Sequence, residues 1–523
     1  MKLLKLTNNA LFLRNWYEQT RKKEVVIFSV IAGMIIMLIF LYCFLQRAEF
    51  SKFAEASKTW HGILWQNFFL MFLAGFQGVL LPLIGLLLVV GYANKELASG
   101  TIDYHRMSPT KRIDQIIGMV FGPPVLAWII FLESIGIVLL TVLSRGISLA
   151  VVFTFYASLI LCTVFYHSIA VLFGLSIRDR VRPDGAGIAI LWVLMIALFI
   201  PLSAAYYLTF IPGYNYLFMN MFRPHEAGLP VHPLYQLDLV SNYFFGKSLH
   251  FLLFQIIVQV PLIVMIWLGI SRKISYPGRP IFSKLQSLAL SLLILLYYTG
   301  SALSLTLVGG NEQIISHWKQ IAILLPYLWY FMGMFMASGA TPEVLMFVKG
   351  LRRMKRLNLT GISPLDDQSS NWLWLIGYCL LSVIMFFLFF VTIHLHPGKF
   401  AYTTAIIMIQ IIFYAQLLEY VKLSASSKRA VFFKLFVGLS VLWLIVPLIG
   451  IGLIADMQSL QYLLAPSPVF IYYLLMQSLL SAEFSIMLNY PALLLINAAL
   501  AVFSVSFARH QRQALHKQIL SNP

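Results

Sequence analysis

The sequence predicts an all-α integral membrane protein of about twelve transmembrane helices, built as two parallel six-helix repeats with an N-terminal amphipathic surface helix. Three observations predict it: composition, the length of the apolar runs and the placement of the basic residues. Of 523 residues, 60% are hydrophobic and 11% charged, with a mean hydropathy of +0.85. Soluble domains carry about 45–50% apolar and about 25% charged residues. Soluble enzymes, secreted disulfide scaffolds and disordered chains are thereby excluded.

The opening segment, 1–23, sets Leu3, Leu4, Leu6, Leu11, Leu13 and Trp16 beside Lys2, Lys5, Arg14 and the run Arg21-Lys22-Lys23. This mixture suits an amphipathic helix lying on the membrane surface. A signal peptide is disfavoured, because the following apolar run is full span length and has no small-residue cleavage site.

A helix needs about 20 apolar residues to cross about 30 Å of hydrocarbon. Stretches of about that length fall at 25–45, 63–92, 116–143, 149–177, 186–210 and 249–270 in the first half. The second half has them at 285–308, 321–348, 372–393, 401–421, 431–454 and 490–507, the last being the shortest.

With the N-terminus inside, the inner segments hold 29 of the 37 Lys and Arg. Such bias sets topology, so both termini are expected in the cytoplasm. Most of the +18 net charge then faces anionic lipid. Nucleic-acid binders collect basic residues on a solvated domain, which this chain lacks, so no nucleic-acid partner is expected.

The halves resemble each other. Ser108-Pro109 follows the second span of the first half and Ser363-Pro364 the second span of the other; Pro233 and Pro468 both precede the last span of their half. Each half has an even number of spans, so the repeats, 24–275 and 276–523, are expected to run parallel.

Motifs for chemistry are missing from the sequence. There is no GxxxxGK[ST] phosphate loop and no GxSxG, and His225-Glu226 lacks the second His of HExxH. The chain is therefore expected not to be an enzyme, and to hold no metal or cofactor. Cys43, Cys162 and Cys379 each lie in an apolar run and make no CxxC pair. An ionisable group inside a bilayer is costly, which makes it a functional candidate. Glu133 and His167 on neighbouring spans are the candidates for an intramembrane polar site; Glu343 and Glu419 sit near inner ends, Glu419 three residues before Lys422.

The loop after the second span, 94–112, is the most specific segment. Gly100 lets the chain turn as it leaves the membrane, and 101–107 suits a short surface-parallel helix. Ser108-Pro109 ends that helix, since the residue before proline is pushed out of the α region. Lys111 and Arg112 anchor the next span.

This segment resembles the permease of type-two ABC exporters, which have an N-terminal surface helix, six spans per unit and, after the second span, a Glu, a Gly-Thr pair, a coupling helix and a Pro followed by basic residues. Glu96, Gly100, Thr101, Pro109, Lys111 and Arg112 match in order and spacing. The resemblance implies a coupling site near 96–112 formed by Glu96, Gly100, Thr101, Tyr104, Pro109 and Arg112. It implies a place in the inner membrane of a bacterium and a separate cytoplasmic ATPase, two subunits per fused chain, that binds ATP and Mg. It also implies re-entrant helices in the outer loop before the sixth span, around Pro212, Pro224, Pro230 and Pro233.

The second half departs from the pattern. Its segment near 349–367 has no Gly-Thr, Leu351 stands in the place of Glu96, and Asp366-Asp367 replace the basic pair. It is expected as a degenerate coupling segment, with Leu357, Ser363 and Pro364 at the matching positions. The expected function is outward movement of an amphipathic or lipidic cargo by alternating access. The rivals are an ion-coupled secondary transporter with parallel repeats, whose inner-loop motif 174–182 faintly resembles, and a polytopic transferase using His225, Glu226, His232 and Asp238.

Overall fold

A computed structural model describes residues 9–20, 24–49, 65–107, 110–144, 148–176, 243–244, 247–276, 281–307, 329, 333, 336–337, 340–342, 344–359, 362–364, 366–393, 397–424 and 490–521. The chain divides into two compact units, Met1–Ser275 and Tyr276–Pro523. Apart from a two-residue antiparallel hairpin, β1 (Tyr243–Phe244) and β2 (Lys247–Ser248), the regular structure of the described residues is helical. Seven of the helices are long and apolar enough to cross a bilayer. The protein is thus an all-helical, multi-pass membrane protein.

The first unit contains α1 (Ala10–Thr20), α2 (Glu24–Leu45), α3 (Trp65–Val79), α4 (Gly85–Ala98), α5 (Thr101–Met107), α6 (Arg112–Phe121), α7 (Val125–Ser144), α8 (Leu149–Ser176) and α9 (Phe251–Ser275). A π-helical turn, Leu80–Ile84, joins α3 to α4. It contains Pro82, which has no N–H to give an α-helical ladder. The Gly85 N–H reaches back five residues to the Leu80 carbonyl. Helices α2, α3, α7 and α8 share a core of Cys43, Phe69, Leu73, Phe131, Phe155 and Leu159. A polar knot lies within it: Gln77 Nε2 donates to Ser134 Oγ at 2.7 Å, and the Tyr156 hydroxyl donates to Gln77 Oε1 at 3.1 Å. Interhelical bonds of this kind contribute about 0.6 kcal/mol on average in membrane proteins, so the knot fixes rotation of the helices more than it adds stability.

One expected span is shorter than its apolar run. The stretch 116–143 divides at Gly122-Pro123-Pro124 into the short amphipathic α6 and the membrane-crossing α7. Two adjacent prolines remove two backbone donors and bar the preceding residues from continuing the helix. Hydropathy does not register this break, because proline and glycine lower the window average only slightly.

The second unit contains α10 (Lys284–Leu307), α11 (Val344–Arg356), α12 (Trp372–Ile393), α13 (Pro397–Leu423) and α14 (Tyr490–Ser521). Helices α13 and α14 pack along their length, with Gln410 Nε2 donating to Asn497 Oδ1 at 3.0 Å between them. Trp329, Tyr378 and Trp374 stack in succession, centroids 5.0 Å apart, and the Trp329 indole donates to Ser382 Oγ at 2.8 Å. The span expected to be shortest, 490–507, belongs to the longest helix among the described residues, 32 residues. Beyond Phe507 the sequence turns polar, but Ala, Gln, Arg and Leu are strong helix formers. Leu515 and Ile519 cover the apolar side of α11, formed by Phe347, Leu351 and Met354.

The expected spans 186–210 and 431–454 and most of 321–348, with the outer-loop prolines and His225, Glu226, His232 and Asp238, lie outside the described residues.

Candidate functional site

The candidate site of the first unit begins where α4 ends. The Ser99 N–H donates to Lys95 O at 2.9 Å and Gly100 N–H to Leu97 O at 3.3 Å. Gly100 then takes φ +74°, a left-handed conformation that ends a helix at little cost only when the residue lacks Cβ. Its carbonyl accepts from Asp103 N–H at 2.9 Å and opens α5, which spans Thr101–Met107. The Ser99 and Thr101 hydroxyls meet at 2.6 Å across the turn, and Ser99 Oγ also donates to the Glu96 carbonyl at 3.2 Å.

α5 has a buried and an exposed side. Ile102 is 2% exposed and anchors it, whereas Tyr104 and Met107 are 69% and 80% exposed. Pro109 lies outside the described residues. Arg112 opens α6, where its Nη1 donates to Gln115 Oε1 at 2.9 Å, and Gln115 Nε2 donates back to Thr110 Oγ1 at 2.8 Å. That exchange fixes the exit from the segment.

Glu96 is buried, and its partner comes from the start of the chain. Arg14 of α1 donates from Nη2 to Glu96 Oε1 at 2.5 Å and to the Tyr92 hydroxyl, with the Tyr92 ring centroid 5.7 Å from the guanidinium carbon. Burial acts to lower the Arg14 pKa, but Tyr92 and Glu96 outweigh it and raise the value, so the guanidinium stays charged. Arg14 carries no motif in the sequence, and its separation from Glu96 hides the pairing.

α1 is seated as well as paired. Asn9 caps it: Oδ1 accepts from the N–H groups of Leu11 and Phe12, both at 3.1 Å, and Nδ2 donates to the Asp114 carbonyl of α6. Gly118 of α6 permits the approach, since a Cβ there lies 2.6 Å from Leu11 Cβ. α1 therefore packs on α6 and grips the end of α4 at the same time.

The matching segment of the second unit is built differently. α11 runs to Arg356 and ends at Asn358, φ 50°, with the Leu359 N–H bonded to Met354 O at 3.0 Å. Leu357, Ser363 and Pro364 are exposed, and among the described residues of 357–371 none is helical. Lys284, at the start of α10, fills the turn beyond them. Its Nζ donates to the carbonyls of Pro364 at 2.9 Å, Asp366 at 2.8 Å and Ser369 at 3.1 Å, and to the Ser369 hydroxyl. Burial pushes this ammonium down to about 8, against the upward pull of Asp367, Glu419 and Asp366.

Glu419 pairs with Arg512 Nη1 at 3.0 Å, while Lys422, its near neighbour in sequence, donates to Thr341 O at 3.1 Å. The candidate intramembrane pair is not brought together. Glu133 is exposed on α7 and accepts from Ser29 Oγ at 3.0 Å; His167 is fully buried in α8, with Nε2 3.1 Å from the Leu81 carbonyl in the π-helical turn. A carbonyl only accepts, so Nε2 carries the proton. Among the described residues no group of three or more His, Cys, Asp or Glu is placed to hold a metal ion.

Fold and site together define a multi-pass helical membrane protein with a short amphipathic helix set at the end of one spanning helix. No protein-family model, no curated protein and no solved structure matches the chain.

Proposed function

We propose that the chain is the membrane-spanning permease of an ATP-binding-cassette exporter, with about twelve spans in two fused six-helix repeats. It moves an amphipathic or lipidic cargo outward by alternating access. ATP and Mg act in separate cytoplasmic ATPase subunits, and both termini are cytoplasmic. The observation that carries this reading is the junction at Gly100: a buried Glu96, a left-handed glycine and a seven-residue helix that turns Tyr104 and Met107 outward. Such a helix presents a compact, partly apolar knob to a groove in a partner.

Similar packing within each unit supports the repeat. α8 packs on α9 as α13 packs on α14, and α2 meets α7 as α10 meets α12. These pairs are the fourth and sixth, and the first and third, spans of each repeat. A coupling helix transmits work only if it contacts its partner differently in two states. α5 suits this need, because its anchor is the end of a spanning helix and it exposes Tyr104 and Met107.

Glu133 favours a second reading, an ion-coupled transporter, because it is an acid on a spanning helix that accepts from a serine hydroxyl. A proton pathway needs a chain of such groups, and His167 is committed to a backbone carbonyl elsewhere.

The test is purification of the tagged protein in mild detergent beside a Glu96→Ala, Gly100→Trp double variant. The permease reading predicts a co-purifying cytoplasmic subunit with vanadate-sensitive ATPase activity, lost from the variant while the fold is kept. A folded wild type that yields no ATPase, even after crosslinking, counts against it and turns attention to Glu133.

A further inference from the structure

Glu133 lies at the seam between two spanning helices and is exposed there. It belongs to α7, and its Oε1 accepts from Ser29 Oγ of α2 at 3.0 Å, so that one hydroxyl takes one of the acceptor sites that the two carboxylate oxygens offer. The Val125–Leu143 span places it eight residues from one end and ten from the other. At about 1.5 Å per residue these are roughly 12 and 15 Å, near the middle of a hydrocarbon layer about 30 Å thick.

Space opens beside the acid. One helical turn beyond Ser29 and Glu133 come Gly33 and Gly136, and a Cβ built on either meets no other described group within 4 Å. Two turns beyond come Met37 and Leu140, 62% and 71% exposed. Charge, depth and polarity together select the occupant. A carboxylate at this depth is costly unless positive charge meets it. Lipid headgroups stay at the interface, about 12 Å too shallow. Calcium or magnesium takes six or more oxygens, which one serine and one carboxylate among apolar neighbours do not supply. A cation that carries its own apolar body meets every condition: its charge pairs with Glu133 while its apolar part fills the space over Gly33 and Gly136.

We propose that the Glu133 seam between α2 and α7 is a binding site for lipophilic cations, molecules with a positive charge on an apolar body, which enter it sideways from the bilayer. Glu133 supplies the counter-charge, Ser29 orients the carboxylate, and the two glycines leave room for the apolar part. The site lies apart from the segment around Gly100 and rests neither on the permease reading nor on ion coupling.

The test uses the purified full chain in nanodiscs of phosphatidylcholine, a lipid without net charge. Equilibrium binding, less that of empty nanodiscs, is measured for tetraphenylphosphonium and tetraphenylborate, ions of nearly the same size and shape but opposite charge. Wild type is compared with Glu133→Gln, Glu133→Asp and Gly136→Leu. Glu133 and Gly136 are both exposed, so the variants keep their fold, which a thermal melt verifies. The proposal expects saturable binding of tetraphenylphosphonium to wild type, at least about tenfold tighter than tetraphenylborate, and a loss of at least about tenfold in Glu133→Gln. Glu133→Asp keeps most of the affinity, and Gly136→Leu, which retains the carboxylate but fills the space beside it, loses it. Absence of saturable binding to wild type, equal binding of the two ions, or unchanged affinity in Glu133→Gln overturns the site. A loss in Glu133→Asp as large as that in Glu133→Gln contradicts the charge pairing, and unchanged affinity in Gly136→Leu contradicts the placement of the ligand in the seam.

Discussion

The Arg14 guanidinium of α1 lies 2.5 Å from the Glu96 carboxylate of α4, across 82 positions of sequence. Through this contact the first helix of the chain holds the residue that precedes α5 by one turn. The pair is worth more than a surface ion pair because Glu96 is largely removed from solvent.

Removing Arg14 leaves a buried carboxylate without its cation. Arg14→Ala is expected to lower the stability of the first unit by about 2–3 kcal/mol, below the roughly 3–5 kcal/mol of a fully buried pair because Arg14 itself is 34% exposed. Thermal melts in detergent check this. Arg14→Lys should recover part of the loss, and the exchange Arg14→Glu with Glu96→Arg more than either single change. Equal melting points for wild type and Arg14→Ala refute the pairing.

Seating of α1 depends on Gly118. Gly118→Leu puts a side chain into the space of Leu11 and the Asn9 cap, at an overpacking cost of about 1–3 kcal/mol. The expected outcome is release of α1, seen as faster tryptic cleavage in the first 23 residues with the remaining helices intact. Unchanged cleavage contradicts the packing of α1 on α6.

The two left-handed caps predict opposite responses to adding and to removing a Cβ. Gly100→Ala forces a Cβ into the left-handed region at about 1–2 kcal/mol and should loosen the start of α5. Asn358→Gly relieves a milder strain and should be neutral or slightly stabilising. Hydrogen exchange over 100–107 and 357–364 measures both; equal effects at the two positions count against the assignment of the caps.

Lys284→Met removes the donor from three carbonyls and a hydroxyl while keeping an unbranched side chain one atom shorter. The Pro364 and Asp366 carbonyls keep Ser369 as a donor, so the cost falls mainly on the Ser369 carbonyl, at about 1–3 kcal/mol for a buried oxygen left unpaired and less where water enters. The expected result is a lower melting temperature and faster amide exchange over 364–371, with 101–107 unaffected. Unaltered exchange over 364–371 contradicts the hold of Lys284 on this turn.

Much of the helical layout was legible because apolar runs of span length have few alternatives in water. The short helix after Gly100 was legible too, since a glycine and a Ser-Pro pair bracket seven residues. Three features were hidden for physical reasons. Pro123-Pro124 breaks an apolar run without changing its hydropathy. The far end of α14 stays helical through propensity and through Leu515 and Ile519, not through continuous hydrophobicity. The partners of Glu96, Glu419 and Lys284 come from distant positions, and sequence neighbours such as Lys422 draw attention from the true contacts.

The most direct test of the central claim is site-specific photocrosslinking from position 104 on α5 in intact cells of the native host, with the adduct identified by mass spectrometry. The permease reading predicts an adduct with a nucleotide-binding ATPase subunit, abolished by Gly100→Trp. Adducts that contain lipid alone, or a protein with no nucleotide-binding site, contradict it.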